Sequence, residues 1–173
     1  MMISCDAFAK VNLYLHVCAK RPDGYHELDS LVVFAQTGDR IEVTAASDLT
    51  LSITGPLAGS LENEPDNLVL QAARKLQNLC AVKEGAHIIL DKHLPVAAGI
   101  GGGSGDAAAT IKALCQLWDV SPSKSDLESL ALSLGADVPI CLAGHAAHVG
   151  GIGEDISSRK IPECWMVLVN PGV

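Results

Sequence analysis

Aromatic residues are nearly missing from this chain: two Tyr, two Phe and two Trp make up 3% of its 173 residues. Basic residues are scarce too, 12 Lys and Arg against 20 Asp and Glu, for a formal charge of -8. A nucleic-acid surface is built on a basic patch or stripe, so this balance argues against a nucleic-acid partner. No apolar run approaches the roughly 20 residues of a membrane span. The start, Met1-Met2-Ile3-Ser4-Cys5-Asp6, lacks both the basic residues and the apolar block of a signal peptide. Those absences predict no membrane partner and a cytoplasmic location. The six cysteines include no CxxC pair and have mostly apolar neighbours, which reads as reduced thiols rather than disulfides or zinc ligands. A Walker A loop is excluded as well, because no lysine follows the glycines.

What the chain does have is glycine in one place. Pro95-Val96-Ala97-Ala98-Gly99-Ile100-Gly101-Gly102-Gly103-Ser104-Gly105-Asp106-Ala107-Ala108-Ala109 holds five glycines in fifteen residues. It joins an apolar strand-like run, His87 to Leu90, to an amphipathic run predicted to be helical from Ala107 to Trp118. Glycine accepts positive φ and lets backbone approach a ligand closely. Successive N–H groups curling into a helix N-terminus make a partly positive hollow suited to a phosphate chain. Ser104 is placed to cap that helix or to contact an oxygen of the bound group. The plainer alternative is a flexible turn before a helix. Gly103 to Ala108 also fits the Gly-x-Gly-x-x-Ala dinucleotide pattern, but Leu94 to Ile100 intervene after the strand, which weakens that match.

The length suits one domain with a real core, and 49% hydrophobic residues fit a globular chain. Period-two alternation from Cys5 to Val17 predicts a half-buried strand. Its apolar face is Cys5, Ala7, Ala9, Val11, Leu13, Leu15 and Val17, and Lys10 and Asn12 are neighbours on the other face. Spacing alone makes Lys10 an ordinary solvated lysine. Arg21-Pro22-Asp23-Gly24 is a turn, with Tyr25 and His26 at its exit. These two are either hairpin surface or, in a chain this poor in aromatics, a ring-binding pair.

Further strands are predicted at Leu28 to Ala35, Arg40 to Thr44, Leu49 to Thr54 and His87 to Asp91. A helix capped by Asp66 is expected from Asn67 to Leu79, with Leu68, Ala72, Leu76 and Leu79 buried. Another runs from Ser123 to Leu134 and stops at Gly135. Asp137 precedes Val138-Pro139, so it either caps a short helix to Leu142 or stands free as a fixed carboxylate. Ala146 to Gly150, Asp155 to Ser158 and Trp165 to Asn170 close the domain as strands, with Gly150-Gly151-Ile152-Gly153 as a hairpin turn. The chain stops on Asn170-Pro171-Gly172-Val173, a strand leading into a turn, which suggests a fragment whose next domain is missing.

Taken in order, several segments resemble the GHMP superfamily of small-molecule kinases. They are Ala7 to Leu13, Arg21 to Leu28, Asp66-Asn67-Leu68, Lys92 to Pro95 with the glycine loop, Leu134 to Pro139, and Val169 to Val173. The Asp23-Gly24-Tyr25-His26 turn points to the branch of that superfamily acting on a small-molecule cytidyl-diphosphate substrate.

The resemblance implies an α/β (α+β) fold like ribosomal protein S5 domain 2, a mixed sheet packed with helices. It makes residues 1–173 the N-terminal, ATP-binding domain, with the C-terminal domain absent. It implies transfer of the ATP γ-phosphate to an alcohol, with Mg²⁺ held through the phosphates. By position, Pro95, Val96, Ala97, Ala98, Gly99, Ile100, Gly101, Gly102, Gly103, Ser104 and Gly105 would cradle the ATP phosphates. Asn67 and Lys92 would lie around the nucleotide. Asp137 would orient the attacking hydroxyl and be the candidate to take its proton, with Lys10 beside it offsetting charge. Tyr25 would stack on the cytosine and His26 hydrogen-bond it, while Asn12 positions the polar part of the substrate.

Two departures bear on this. Gly102 and Gly103 stand where the superfamily often has serine, leaving Ser104 as the main hydroxyl available to a metal. Asp106 stands where an uncharged polar residue also occurs, and a carboxylate there would alter nucleotide affinity. Weak or absent activity is expected of the 173-residue chain by itself. The competing assignments are another GHMP kinase, acting on homoserine, mevalonate or a sugar, and an S5-like RNA-binding module without catalysis. Oligomeric state is not legible in the sequence.

Overall fold

A computed structural model describes residues 1–61 and 67–169. Its first two strands, β1 (Met2–Lys20) and β2 (His26–Ala46), form a long antiparallel hairpin around the Arg21–Gly24 turn. β3 (Leu49–Thr54), α1 (Leu68–Leu79) and β4 (Gly85–Asp91) follow. After the glycine loop come α2 (Gly102–Leu117), α3 (Lys124–Leu132), α4 (Val138–Ala143), β5 (Ala147–Gly151) and β6 (Asp155–Ser158). The strands make one mixed sheet in the order β3-β4-β2-β5-β6, with β1 also paired to β2; only β3 and β4 run parallel. This is the expected mixed sheet packed with helices.

The core lies between that sheet and α1 and α2. Ile41, Val43, Ile88 and Leu90 come from β2 and β4, Val69, Ala72 and Leu76 from α1, and Ala107, Ile111 and Leu114 from α2. Alanines at 107, 108, 109 and 113 are all buried. Small side chains let α2 sit close to β1 and β2, which it packs against along with α1 and α4. That close seat sets where the glycine loop ends.

Several expectations are corrected. Leu28 to Ala35 and Arg40 to Thr44 are parts of a single strand. Residues 36–39 run through because β1 spans both halves while β5 pairs with Leu28–Val32 and β4 with Arg40–Ala46. Gly38 permits it, since a Cβ there would collide with the Ala7 carbonyl.

On β1, alternation fails at a register shift between Phe8 and Lys10. An extra residue in one strand turns the following side chain to the opposite face. Ala9 and Lys10 are therefore both buried, whereas Leu13, Leu15 and Val17 are exposed beyond the helix layer. On α1 the buried stripe is Val69, Ala72, Ala73 and Leu76, and Leu79 faces out. Its cap is Asn67, whose side-chain oxygen accepts the Val69 N–H at 2.9 Å. Asp66, expected in that position, lies outside the described residues.

Helix α2 begins at Gly102, five residues before Ala107, so the glycines are its first turn. Trp165 to Val169 form no strand, because nothing pairs with them among the described residues, and Trp165 is fully exposed. Asn170 and the Pro171-Gly172-Val173 end lie outside the described residues. Among the described residues no helix is long and apolar enough to cross a membrane. All six cysteines are free thiols.

Candidate active site

The register shift in β1 drives Lys10 inward, leaving it 4% exposed. A buried ammonium must find acceptors, or its lost hydration destabilises the fold. Lys10 Nζ donates to Asn12 Oδ1 at 2.8 Å and lies 3.3 Å from Asp137 Oδ2. Asn12 is held in turn: its Nδ2 donates to Ser30 Oγ at 2.7 Å, and that hydroxyl donates to the Tyr14 carbonyl at 2.7 Å. Each polar atom in the row has a partner, so the Lys10 head is aimed.

Asp137 occupies the N-cap position of α4 but makes no capping hydrogen bond with its side chain. Helical backbone at that residue (φ -86°, ψ -13°) is not the extended geometry a capping carboxylate needs. The capping alternative is thereby excluded. Its carboxylate is half-exposed, one oxygen toward Lys10.

The glycine loop meets β1 at the same point. The Lys10 N–H donates to the Ile100 carbonyl at 2.8 Å. Gly101, at φ +67°, turns the chain into α2, and a Cβ there would stand 3.1 Å from Lys10 Cβ and 3.2 Å from its Cε. Cβ atoms at Gly99 and Gly103 would meet nothing within 4 Å, so backbone at both faces open space. No side chain caps α2, and Ser104 sits inside its first turn rather than before it, correcting the expected cap. The first-turn amides of α2 are therefore free of a side-chain acceptor, and this end of the helix attracts anions.

Gly101→Ala is expected to reduce turnover at least tenfold at a cost of about 1–2 kcal/mol to the fold, because left-handed backbone disfavours Cβ and the added carbon presses on Lys10. Steady-state kinetics run beside thermal melting check it; normal turnover would show that Lys10 has slack.

Lys92, expected beside the nucleotide, is instead 2% exposed beneath the start of α2. Its Nζ donates to Asp39 Oδ2 at 2.5 Å and Asp106 Oδ2 at 2.9 Å. Burial works against its charge, but the two carboxylates outweigh it and raise its pKa above the ordinary lysine value. Asp106 is equally buried, its second oxygen without a partner. Burial first, and the Asp39 charge after it, overcome the pull of Lys92 and push the Asp106 carboxyl up to about 7. Asp106 thus faces the lysine under the loop.

The structure brings Lys10, Asn12, Asp137 and the Ile100–Gly101 end of the loop together. It sets Lys92 and Asp106 as a layer below them, and it employs the Asn67 side chain as a helix cap. Tyr25 and His26 are exposed at the far end of the hairpin, where His26 pairs with Lys20 while Phe34 pairs with Lys10. Eight residues of β2 separate those pairs, roughly 26 Å in a straight strand. Asp39 and Ser30 were missed, because an acid after glycine and a serine within a strand carry no motif. A groove of about 1010 Å³ between α3 and β6, lined by Leu127, Pro139 and Ile156 among others, includes none of these residues.

Residues 67–145 match the family described as GHMP kinases N terminal domain. That stretch is a little under half of the chain, and its likeness is to the GHMP kinases. The chain is 52% identical over 168 residues to 4-diphosphocytidyl-2-C-methyl-D-erythritol kinase of Parvibaculum lavamentivorans, covering 96% of this chain and 58% of that relative. A crystal structure of 4-(cytidine 5'-diphospho)-2C-methyl-D-erythritol kinase superposes with a TM-score of 0.77 at 39% identity, over 92% of this chain and 56% of the other. Homoserine kinase from Cytophaga hutchinsonii shares the fold, with a TM-score of 0.69 at 19% identity over 93% of this chain and 52% of the other. The chain spans a little under three fifths, 58%, of the length of the first of these relatives.

Proposed function

We propose that the protein carrying this chain transfers the γ-phosphate of ATP to the tertiary 2-hydroxyl of 4-diphosphocytidyl-2-C-methyl-D-erythritol. On this proposal residues 1–173 are its ATP-binding domain and a second domain, not included here, completes the cleft. One observation carries it: an uncapped carboxylate, Asp137, lies 3.3 Å from the buried Lys10 ammonium, at the point where a loop with open glycines meets β1.

That arrangement suits phosphoryl transfer, whose loose transition state calls for positioning and charge stabilisation more than covalent help. Asp137 accepts the proton of the attacking hydroxyl. Lys10 steadies that carboxylate and offsets charge on the transferring group. Asn12, locked by Ser30, fixes the Lys10 head. The loop from Pro95 to Gly105 and the free amides of α2 hold the phosphate chain, and Ser104 is the hydroxyl nearest that end of the helix. ATP with Mg²⁺ supplies the phosphoryl group and neutralises its oxygens.

Among the described residues no group of three His, Cys, Asp or Glu could hold a metal. Mg²⁺ often keeps several waters and binds through phosphates, which fits that composition. Tyr25 and His26 hold the cytosine at the far end of the hairpin, a distance that calls for an elongated substrate such as a nucleoside diphosphate ester. The free cysteines support a cytoplasmic setting.

The decisive assay is ATP-dependent phosphorylation by the full-length protein against a panel of the cytidyl alcohol, homoserine, mevalonate and a sugar. Transfer to the cytidyl alcohol alone is expected; transfer to another member, or salt-dependent RNA binding without ATP binding, overturns the assignment.

A further inference from the structure

Asp39 is buried, with no motif to announce it, and its carboxylate makes three contacts, all with Lys92, His93 and Leu94. Oδ1 accepts the N–H of His93 at 2.6 Å and of Leu94 at 2.7 Å, the residues that open the glycine loop. Oδ2 takes the Lys92 ammonium, whose other carboxylate partner is Asp106, in the second turn of α2 where the loop ends. The strand itself is rigid, since β2 at this point is flanked by β1 and next to the pairing of Arg40 with Asp91. Between the two anchors, residues 95–99 make no hydrogen bond to another segment among the described residues. A Cβ on Gly102 would stand 3.2 Å from Lys92 Nζ, so the lysine fills the space directly under the loop's exit.

We propose that Asp39 is a positioning residue for the glycine loop: one buried carboxylate fastens the start of the loop by two amides and its end through Lys92 and Asp106. The inference rests on the loop being the nucleotide site. It adds that the loop's shape is set before nucleotide arrives, by a strand that never touches the ligand. A loop ordered in advance spares binding the entropic cost of ordering it. In Asp39→Asn the amide nitrogen would face the Lys92 ammonium, donor against donor. Asp106→Ala severs the far anchor and leaves the near one intact. Asp106→Asn retains an acceptor oxygen for Lys92 and keeps both.

The test pairs amide exchange with calorimetric ATP binding in Mg²⁺ buffer, on the full-length protein. The informative amides are Lys10 and Gly105, bonded to Ile100 and Gly101 carbonyls at the loop's exit and not touched by Asp39. In Asp39→Asn and Asp106→Ala these amides are expected to exchange at least tenfold faster, and the Kd for ATP to rise about tenfold, as the cost of ordering moves into binding. Asp106→Asn, which retains an acceptor for Lys92, should exchange at these two amides at least about threefold more slowly than Asp106→Ala. Val43→Ala, a core truncation on the same strand, should lower Tm without selective loss at Lys10 and Gly105.

Unchanged exchange and affinity in Asp106→Ala, or an equal loop effect in Val43→Ala, would overturn the proposal; Asp106→Ala decides the matter should Asp39→Asn fail to fold. If the wild type does not bind ATP, the nucleotide assignment fails instead, and the exchange arm still reports on the fastening.

Discussion

Asp137→Asn is expected to cut turnover by about a thousandfold, the middle of the range for a positioned general base, while the KM for ATP changes less than about threefold. The asparagine fits the same volume at the head of α4, and Asp137 caps nothing with its side chain, so the fold is undisturbed. What is lost is the group proposed to receive the hydroxyl proton. Lys10→Met should cost a similar factor for a different reason. Lys10 is 4% exposed, and methionine preserves most of its buried stem, so a stable protein without the ammonium results. The variant leaves Asn12 without its donor and Asp137 without its partner, but Asp137 is half-exposed and water takes the partner's place. Single-turnover kinetics with saturating ATP separate the two cases from defects in binding. Full activity in Asp137→Asn would remove the proposed base, and full activity in Lys10→Met would leave its burial without a catalytic purpose.

Asp106→Asn is expected to stabilise the protein at pH 8 and to flatten its stability between about pH 4 and pH 7. The carboxyl holds its proton up to about 7 in the folded state against 3.8 ordinarily. Between those values the folded chain binds more protons than the unfolded chain, so wild-type stability falls as pH rises through the window. Above it the fold carries two buried carboxylates against one ammonium, with one oxygen of Asp106 unpartnered. Asparagine keeps an acceptor for Lys92 and removes the surplus charge. At about 1.4 kcal/mol per pKa unit, the gain at pH 8 is on the order of 2–4 kcal/mol, or several degrees in Tm for a chain of this size. Thermal melting of both proteins from pH 4 to pH 8 reads it. Parallel curves would show that Asp106 is ionised throughout.

The two expected results differ in how far the sequence foretold them. Lys10 and Asp137 were named from their motifs, yet spacing favoured a solvated lysine and a helix cap. Neither holds, because a register shift between two strands and the backbone angles at residue 137 are properties of the assembled sheet and helix. Lys92 and Asp106 were also named, but for the nucleotide side of the loop. Their burial depends on α2 lying flat against β1 and β2, and no local pattern encodes which side of a loop a lysine will occupy. Asp39 had no local mark at all, since its partners are 53, 54 and 55 positions away in the chain, at Lys92, His93 and Leu94.

By itself the sequence determined what short-range chemistry controls: the Arg21–Gly24 turn, the helix expected from residue 67, the strands expected from residues 49 and 87, and a glycine tract barred from Walker chemistry by its missing lysine. Its ordered motifs also carried the resemblance to the GHMP kinases. Tertiary structure alone decided which charged side chains are buried together, because that follows from strand register and from how closely alanine lets a helix approach a sheet. Turns and caps are settled within a few residues of backbone, whereas an ion pair under a loop exists only after distant segments have packed and water has been excluded between them.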